Sequence, residues 1–145
     1  MSEAAMRHLS RPAQDVNWLL DNFVASTAGV EQALGVSSDG LLMAISAQMP
    51  RADADKLAAM ISGLTSLSLS ASRLLSKGPL RQVITEFGHG YLMVSAISGG
   101  SCLGIVTSAH CDLGAVGYES TVLVQRIGQL LTPDLITELK TSLVL

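Results

Sequence analysis

The sequence predicts an α+β sandwich: a five-stranded antiparallel sheet with helices on both faces, in the order α-β-β-α-β-β-β-α. Three observations predict it. Three long segments repeat apolar residues with steps of three and four, the period of a helix packed along one side. Five short apolar segments are bounded by Gly, Ser and Asp, the punctuation of strands and hairpins. The strands fall into a group of two and a group of three, each joined by short turns and therefore antiparallel. The helix between the groups is long enough to cross one sheet face.

Residues 1–12 are polar and aperiodic and read as a frayed tail. From Ala13 the pattern turns helical, with Val16, Leu19, Leu20, Phe23 and Val24 on one stripe and Gly29 closing it. Trp18 sits beside that stripe, and packing there is its expected role. A partner anchor is the alternative, because Trp is enriched in binding hot spots. Strands are expected at 30–36 and 41–47, joined by Ser37-Ser38-Asp39-Gly40. An Asp-Gly pair suits such a hairpin because Gly accepts positive φ.

Pro50 opens a helix over 51–75, and Pro79 blocks its continuation. Strands follow at 80–87, 91–97 and 102–108, turned at Gly88-His89-Gly90 and at Ser98-Gly99-Gly100-Ser101. The almost wholly apolar 91–97 is expected to be covered on both faces. A helix at about 112–131 carries Leu113, Val116, Ser120, Leu123, Ile127 and Leu130. Thr132-Pro133-Asp134 then caps a short helix to about Lys140, whose Leu135, Ile136 and Leu139 tuck back onto the domain. The domain is thus expected over 13–131, with 132–145 a short helix or tail.

The helix at 51–75 is unusual. Its main stripe is Leu57, Met60, Ile61, Leu64, Leu67, Ala71, Leu74 and Leu75. A second set, Ala58, Thr65, Leu69 and Ser72, lies about 100° away. The remaining side is mostly small, and no charge occurs between Lys56 and Arg73. A helix of low polarity on more than one face packs on more than one side. The second side is expected to meet another chain.

Composition narrows the function. The chain has 145 residues, 48% apolar and only 14% charged, against a usual charged fraction of about 25%. Mean hydropathy is +0.43. Either a membrane segment or partner-covered apolar surface follows. Gly, Ser or a charged residue interrupts every apolar run well before the roughly 20 residues a span needs. The first 14 residues hold Glu3, Arg7, His8 and Arg11 and no apolar signal region, so a cytoplasmic protein is expected. A net charge of -3 and 3% aromatics argue against nucleic acid.

Motifs for chemistry are mostly missing. Gly99-Gly100-Ser101 lacks the lysine of a phosphate-binding loop and sits between strands. His110-Cys111-Asp112 offers a thiol near a helix start, but neighbours in sequence seldom face each other, and Asp112 reads more simply as a cap. Cys102 and Cys111 match no metal or redox spacing and read as buried or semi-buried thiols in a reducing compartment. His8 and His89 read as solvated. No catalytic, cofactor-binding or metal-ligating residue is assigned. Arg81 and Arg126 are candidate partner contacts, although solvated charges are commoner.

Several short stretches resemble one family. Trp18-Leu19-Leu20, Gly29-Val30 and Ser37-Ser38-Asp39-Gly40-Leu41 look like the opening of Roadblock/LC7 domains, most of all the actinobacterial operon-encoded branch. Leu57-Ala58-Ala59, Ser62-Gly63-Leu64, Gly90-Tyr91-Leu92, Gly100-Ser101, Asp112-Leu113-Gly114 and Tyr118-Glu119 continue the match. The resemblance implies a profilin- and longin-like fold with no catalytic motif. It implies a homodimer through the long helix and the strand after it, here Ala58, Ile61, Thr65, Leu69, Ser72, Arg81, Val83 and Thr85. It implies a signalling role with a small Ras-like GTPase, alongside a sensor-kinase-like protein and a DUF742 protein, and no cofactor. Membrane contact would come only through those partners. Two other readings compete. A PAS- or GAF-like sensor needs a cavity with converging polar groups, and the core shows no such convergence in sequence. A cysteine-dependent enzyme would rest on Cys111.

Overall fold

The computed structural model describes residues 9–46 and 49–144. Residues 1–8 of the expected tail and Ala47 of the second strand lie outside them. The elements are α1 (Arg11–Ser26), β1 (Val30–Val36), β2 (Leu42–Ile45), α2 (Arg51–Leu75), β3 (Gln82–Phe87), β4 (Gly90–Ala96), β5 (Cys102–Ser108), α3 (Leu113–Leu130) and α4 (Pro133–Val144). The strands form one sheet in the order β2-β1-β5-β4-β3, every neighbouring pair antiparallel. This is the predicted sandwich, with the two strand groups joined through β1 and β5.

Caps set the helix limits. The Ser10 hydroxyl accepts the Ala13 N–H at 3.3 Å, and α1 therefore starts at Arg11, before its apolar stripe begins. Residues 9–12, which aperiodicity assigns to a tail, belong to the folded unit. Leu9 is buried, and the Ser10 N–H and hydroxyl donate to Glu138 of α4 at 2.7 and 2.6 Å. Asp112 caps α3 by accepting the Ala115 N–H at 3.1 Å. The final helix runs beyond Lys140, to Val144.

Strand alternation divides the core in two. Met93, Leu103 and Ile105 face α1, α3 and α4, where Leu20, Val116, Leu123 and Leu139 meet them. Leu34, Leu92, Val94 and Cys102 face α2. Leu92, Met93 and Val94 are all buried, as a strand covered on both faces requires. Sheet edges invite further pairing. Helix α4 packs against the β2 edge, whereas no strand pairs with the outer side of β3 among the described residues.

The long helix meets the sheet differently from its apolar pattern. Its fully buried row is Ala54, Ala58 and Ile61. The expected stripe splits: Ile61 is buried and Leu57 and Leu64 are half-buried against the sheet-side core, whereas Leu67 is 74% and Leu74 84% exposed, and Met60 is also exposed. Close approach explains the choice. A Cβ on Gly104 of β5 would lie 2.5 Å from Ile61 Cδ1 and 3.2 Å from Leu34 Cδ2, so the glycine leaves the space that Ile61 fills. Small residues on the helix let its backbone come down on that spot. Trp18 is corrected likewise. It stands about 200° round α1 from Val16, away from the packed stripe, and is 60% exposed.

Two predictions follow from this packing. Ile61→Ala removes a fully buried side chain and should cost about 2–5 kcal/mol in urea unfolding. Asp39, at the β1–β2 turn, accepts from the Ser37 hydroxyl and lies 3.3 Å from Lys140 Nζ on α4. The Ser37 hydrogen bond first, and Lys140 second, hold its carboxyl below the usual range. That stabilisation is present above the unfolded value of about 3.9 and is lost as pH falls through the lower folded value. Asp39→Asn should therefore lower the melting temperature at neutral pH, and the deficit should shrink as the medium is acidified below about pH 4.

Candidate functional site

Surface chemistry concentrates on α2 and the β3 edge. Met60, Leu67 and Leu74 recur every seven residues and form one outward row. On β3, Phe87 is exposed on the α2 side of the sheet and Ile84, cross-strand from Met93, on the opposite side, and no strand pairs with the outer backbone groups of β3 among the described residues. An apolar row and an open strand edge are the features that other polypeptides commonly cover.

The eight residues expected in a chain–chain contact separate. Arg81 is exposed just before β3, and Val83 and Thr85 are half-buried on it, so all three lie at the open edge. Ala58 and Ile61 are fully buried against their own sheet and have no surface to offer. Thr65 donates its hydroxyl to the Ile61 and Ser62 carbonyls at 3.1 and 2.9 Å. Ser72 donates to the Gly78 carbonyl and trims the end of α2. Thr65 and Leu69 line a cavity instead of the outward row. Met60, Leu67 and Leu74 were visible in the sequence as a stripe. What marked them as surface was their bulk, set beside an alanine row on the same helix.

That cavity measures about 380 Å³ and opens between α2, the β1–β2 turn and the turn before β5. Ser37, Ser38, Ser62, Ser66 and Ser101 contribute hydroxyls to its wall. Polar groups thus converge where the sequence showed no convergence. They come from segments far apart in the chain, and no local pattern joins them.

The thiols sit apart. Cys102 is buried, which pushes its thiol up in pKa, with a Thr65 hydrogen bond opposing. Cys111 is half-buried with Sγ 3.3 Å from the Thr107 hydroxyl. His110 is exposed, and no side-chain hydrogen bond joins it to the Cys111 thiol among the described residues. No group of three potential metal ligands occurs among the described residues, nor is any described helix long and apolar enough to cross a membrane.

The fold defines a profilin-like sandwich, and comparisons agree. Profilin IB of Acanthamoeba castellanii superposes with a TM-score of 0.59 at 18% identity, over 79% of this chain and 98% of profilin. MglB of Myxococcus xanthus gives 0.75 at 15% identity over 80% and 94% of the two chains. A further MglB structure, described as having a tetrameric arrangement, gives 0.75 at 16% identity over 84% and 91%. A Roadblock/LC7 domain from Streptomyces avermitilis gives 0.73 at 33% identity, over 77% of this chain and 92% of that domain. The Roadblock/LC7 domain profile matches residues 16–107. The chain belongs to the Roadblock/LC7 family. No curated protein matches it.

The two thiols should be distinguishable in solution. Ellman's reagent should modify Cys111 in the folded protein and Cys102 only on unfolding, which a biphasic absorbance trace in and out of denaturant would show. Modification of both at one rate would contradict the burial of Cys102.

Proposed function

We propose that the chain is a homodimeric, non-catalytic regulatory and scaffolding module for a small Ras-like GTPase in a bacterial signalling system. One observation carries the reading: in a member of this family, the exposed row Met60, Leu67 and Leu74 stands beside the open β3 edge. A second copy placed there would cover both and extend the sheet across the pair. The contact would take its apolar part from those three residues and its edge part from Arg81, Val83 and Thr85. The tetrameric arrangement of an MglB structure supports self-association in this fold. The GTPase, and with it a sensor-kinase-like protein and a DUF742 protein, follows from the family resemblance. No nucleic acid enters the reading, and the site of action is the cytoplasm, with membranes reached only through partners.

Light scattering after size-exclusion chromatography tests the first half. A dimer is expected at micromolar concentration, and a monomer would sink the proposal. Leu67→Glu, at a position exposed in the single chain, should weaken the dimer about 30-fold or more, the loss of a hot spot worth about 2 kcal/mol. The same variant should leave the fold intact by circular dichroism. For the second half, a small Ras-like GTPase from the same cell should be retained on the immobilised dimer. GTP turnover with and without the dimer then separates an activator from a scaffold, and absence of retention in both nucleotide states removes the GTPase from the reading.

A further inference from the structure

We propose that the cavity behind α2 is a binding site for a small uncharged molecule carrying hydrogen-bond acceptors on an aliphatic or ring body. Three observations carry it. First, its volume of about 380 Å³ falls within the range of small-molecule sites, about 300–1,000 Å³. Second, Ser101 is 1% exposed, lines the cavity, and its hydroxyl has no hydrogen-bond partner. A buried hydroxyl left unpaired is costly, and an acceptor on a ligand relieves that cost. Third, the lining combines hydroxyls with an apolar wall that includes Val36, Leu69 and Ile97, and no charged side chain lines it among the described residues. A charged ligand would lose hydration there with no counter-charge in return, so a neutral one is selected.

The backbone is shaped to leave this space. Gly100 has a φ of +86°, and a Cβ on it would stand 3.1 Å from the Ser38 Cβ, so the turn before β5 comes close to the β1–β2 turn. The cavity also stands clear of the pairing row. Ser62, Ser66 and Leu69 lie more than about 100° round α2 from the direction shared by Met60, Leu67 and Leu74. On α2, therefore, the cavity and the pairing row use different faces, while Pro79 and Leu80 of the cavity wall adjoin Arg81 at the start of the open edge.

A matched pair of fragments tests the idea on the full chain: cyclohexanecarboxamide, and cyclohexanecarboxylate as its charged counterpart. Backbone amide shifts are followed by NMR during each titration. The amide should give saturable shifts at Ser37, Ser66, Ser101 and Cys102, with an affinity at least about tenfold above that of the carboxylate. Ser101→Ala should weaken the amide about fivefold, the loss of one neutral hydrogen bond. Ser66→Phe fills the mouth from an exposed position and should abolish the shifts while leaving the melting temperature unchanged. Shifts that do not saturate or scatter over the surface would overturn the proposal. So would equal binding of the carboxylate, or full binding by a folded Ser66→Phe protein.

Discussion

The contact on which the rest of this structure depends is Ile61 of α2 set against Gly104 of β5. A side chain at 104 would occupy the place of the Ile61 methyl. The missing Cβ and the alanines at 54 and 58 bring helix and sheet together, and the three helical residues lose all exposure. Dispersion and apolar burial favour this approach because each atom in a close-packed layer keeps its neighbours. Everything else about α2 follows from its orientation. Its bulky row must turn away from the sheet, and its serine flank must stand over the end of β1 and the start of β5.

That orientation gives the two flanks different work. The outward row has no covering element among the described residues and adjoins the β3 edge, with which no further strand pairs among those residues. Natural proteins blunt free edges with charge, proline or a covering helix. Here α4 covers the β2 edge, tied by Glu138 to Ser10 and by Lys140 to Asp39. The unequal treatment of the two edges argues that β3 is kept open for use. The serine flank closes over a cavity instead, because hydroxyl side chains are too short to fill the space that large apolar ones would.

Much of the fold was legible in the chain. The Asp39-Gly40 turn, the Pro50 and Pro79 boundaries, the stripe on α1 and the all-apolar β4 are local signals, and local signals act through backbone sterics and side-chain period. The cap at Ser10 was also present, but it precedes two residues without periodicity and so escaped the pattern. The face of α2 was not legible. A 3.6-residue period marks which residues share a side, and when two adjacent sides are both of low polarity it does not say which one meets the sheet. Bulk suggested Ile61, Leu67 and Leu74 together, whereas fit selected Ile61 with Ala54 and Ala58. Trp18 shows the same limit: its place beside a stripe says little until neighbouring helices define how far that stripe extends.

By itself, then, the sequence determined the order of elements, the antiparallel groups, the family and the excess of apolar surface that calls for a partner. These rest on short-range chemistry and on totals, which need no coordinates. The tertiary structure alone decided which α2 residues are interior, which sheet edge stays open, and that hydroxyls from three separated segments surround one cavity. Each of those is a matter of distance between atoms remote in the chain, and such distances are set only when a glycine on β5 and a row of alanines on α2 come into contact.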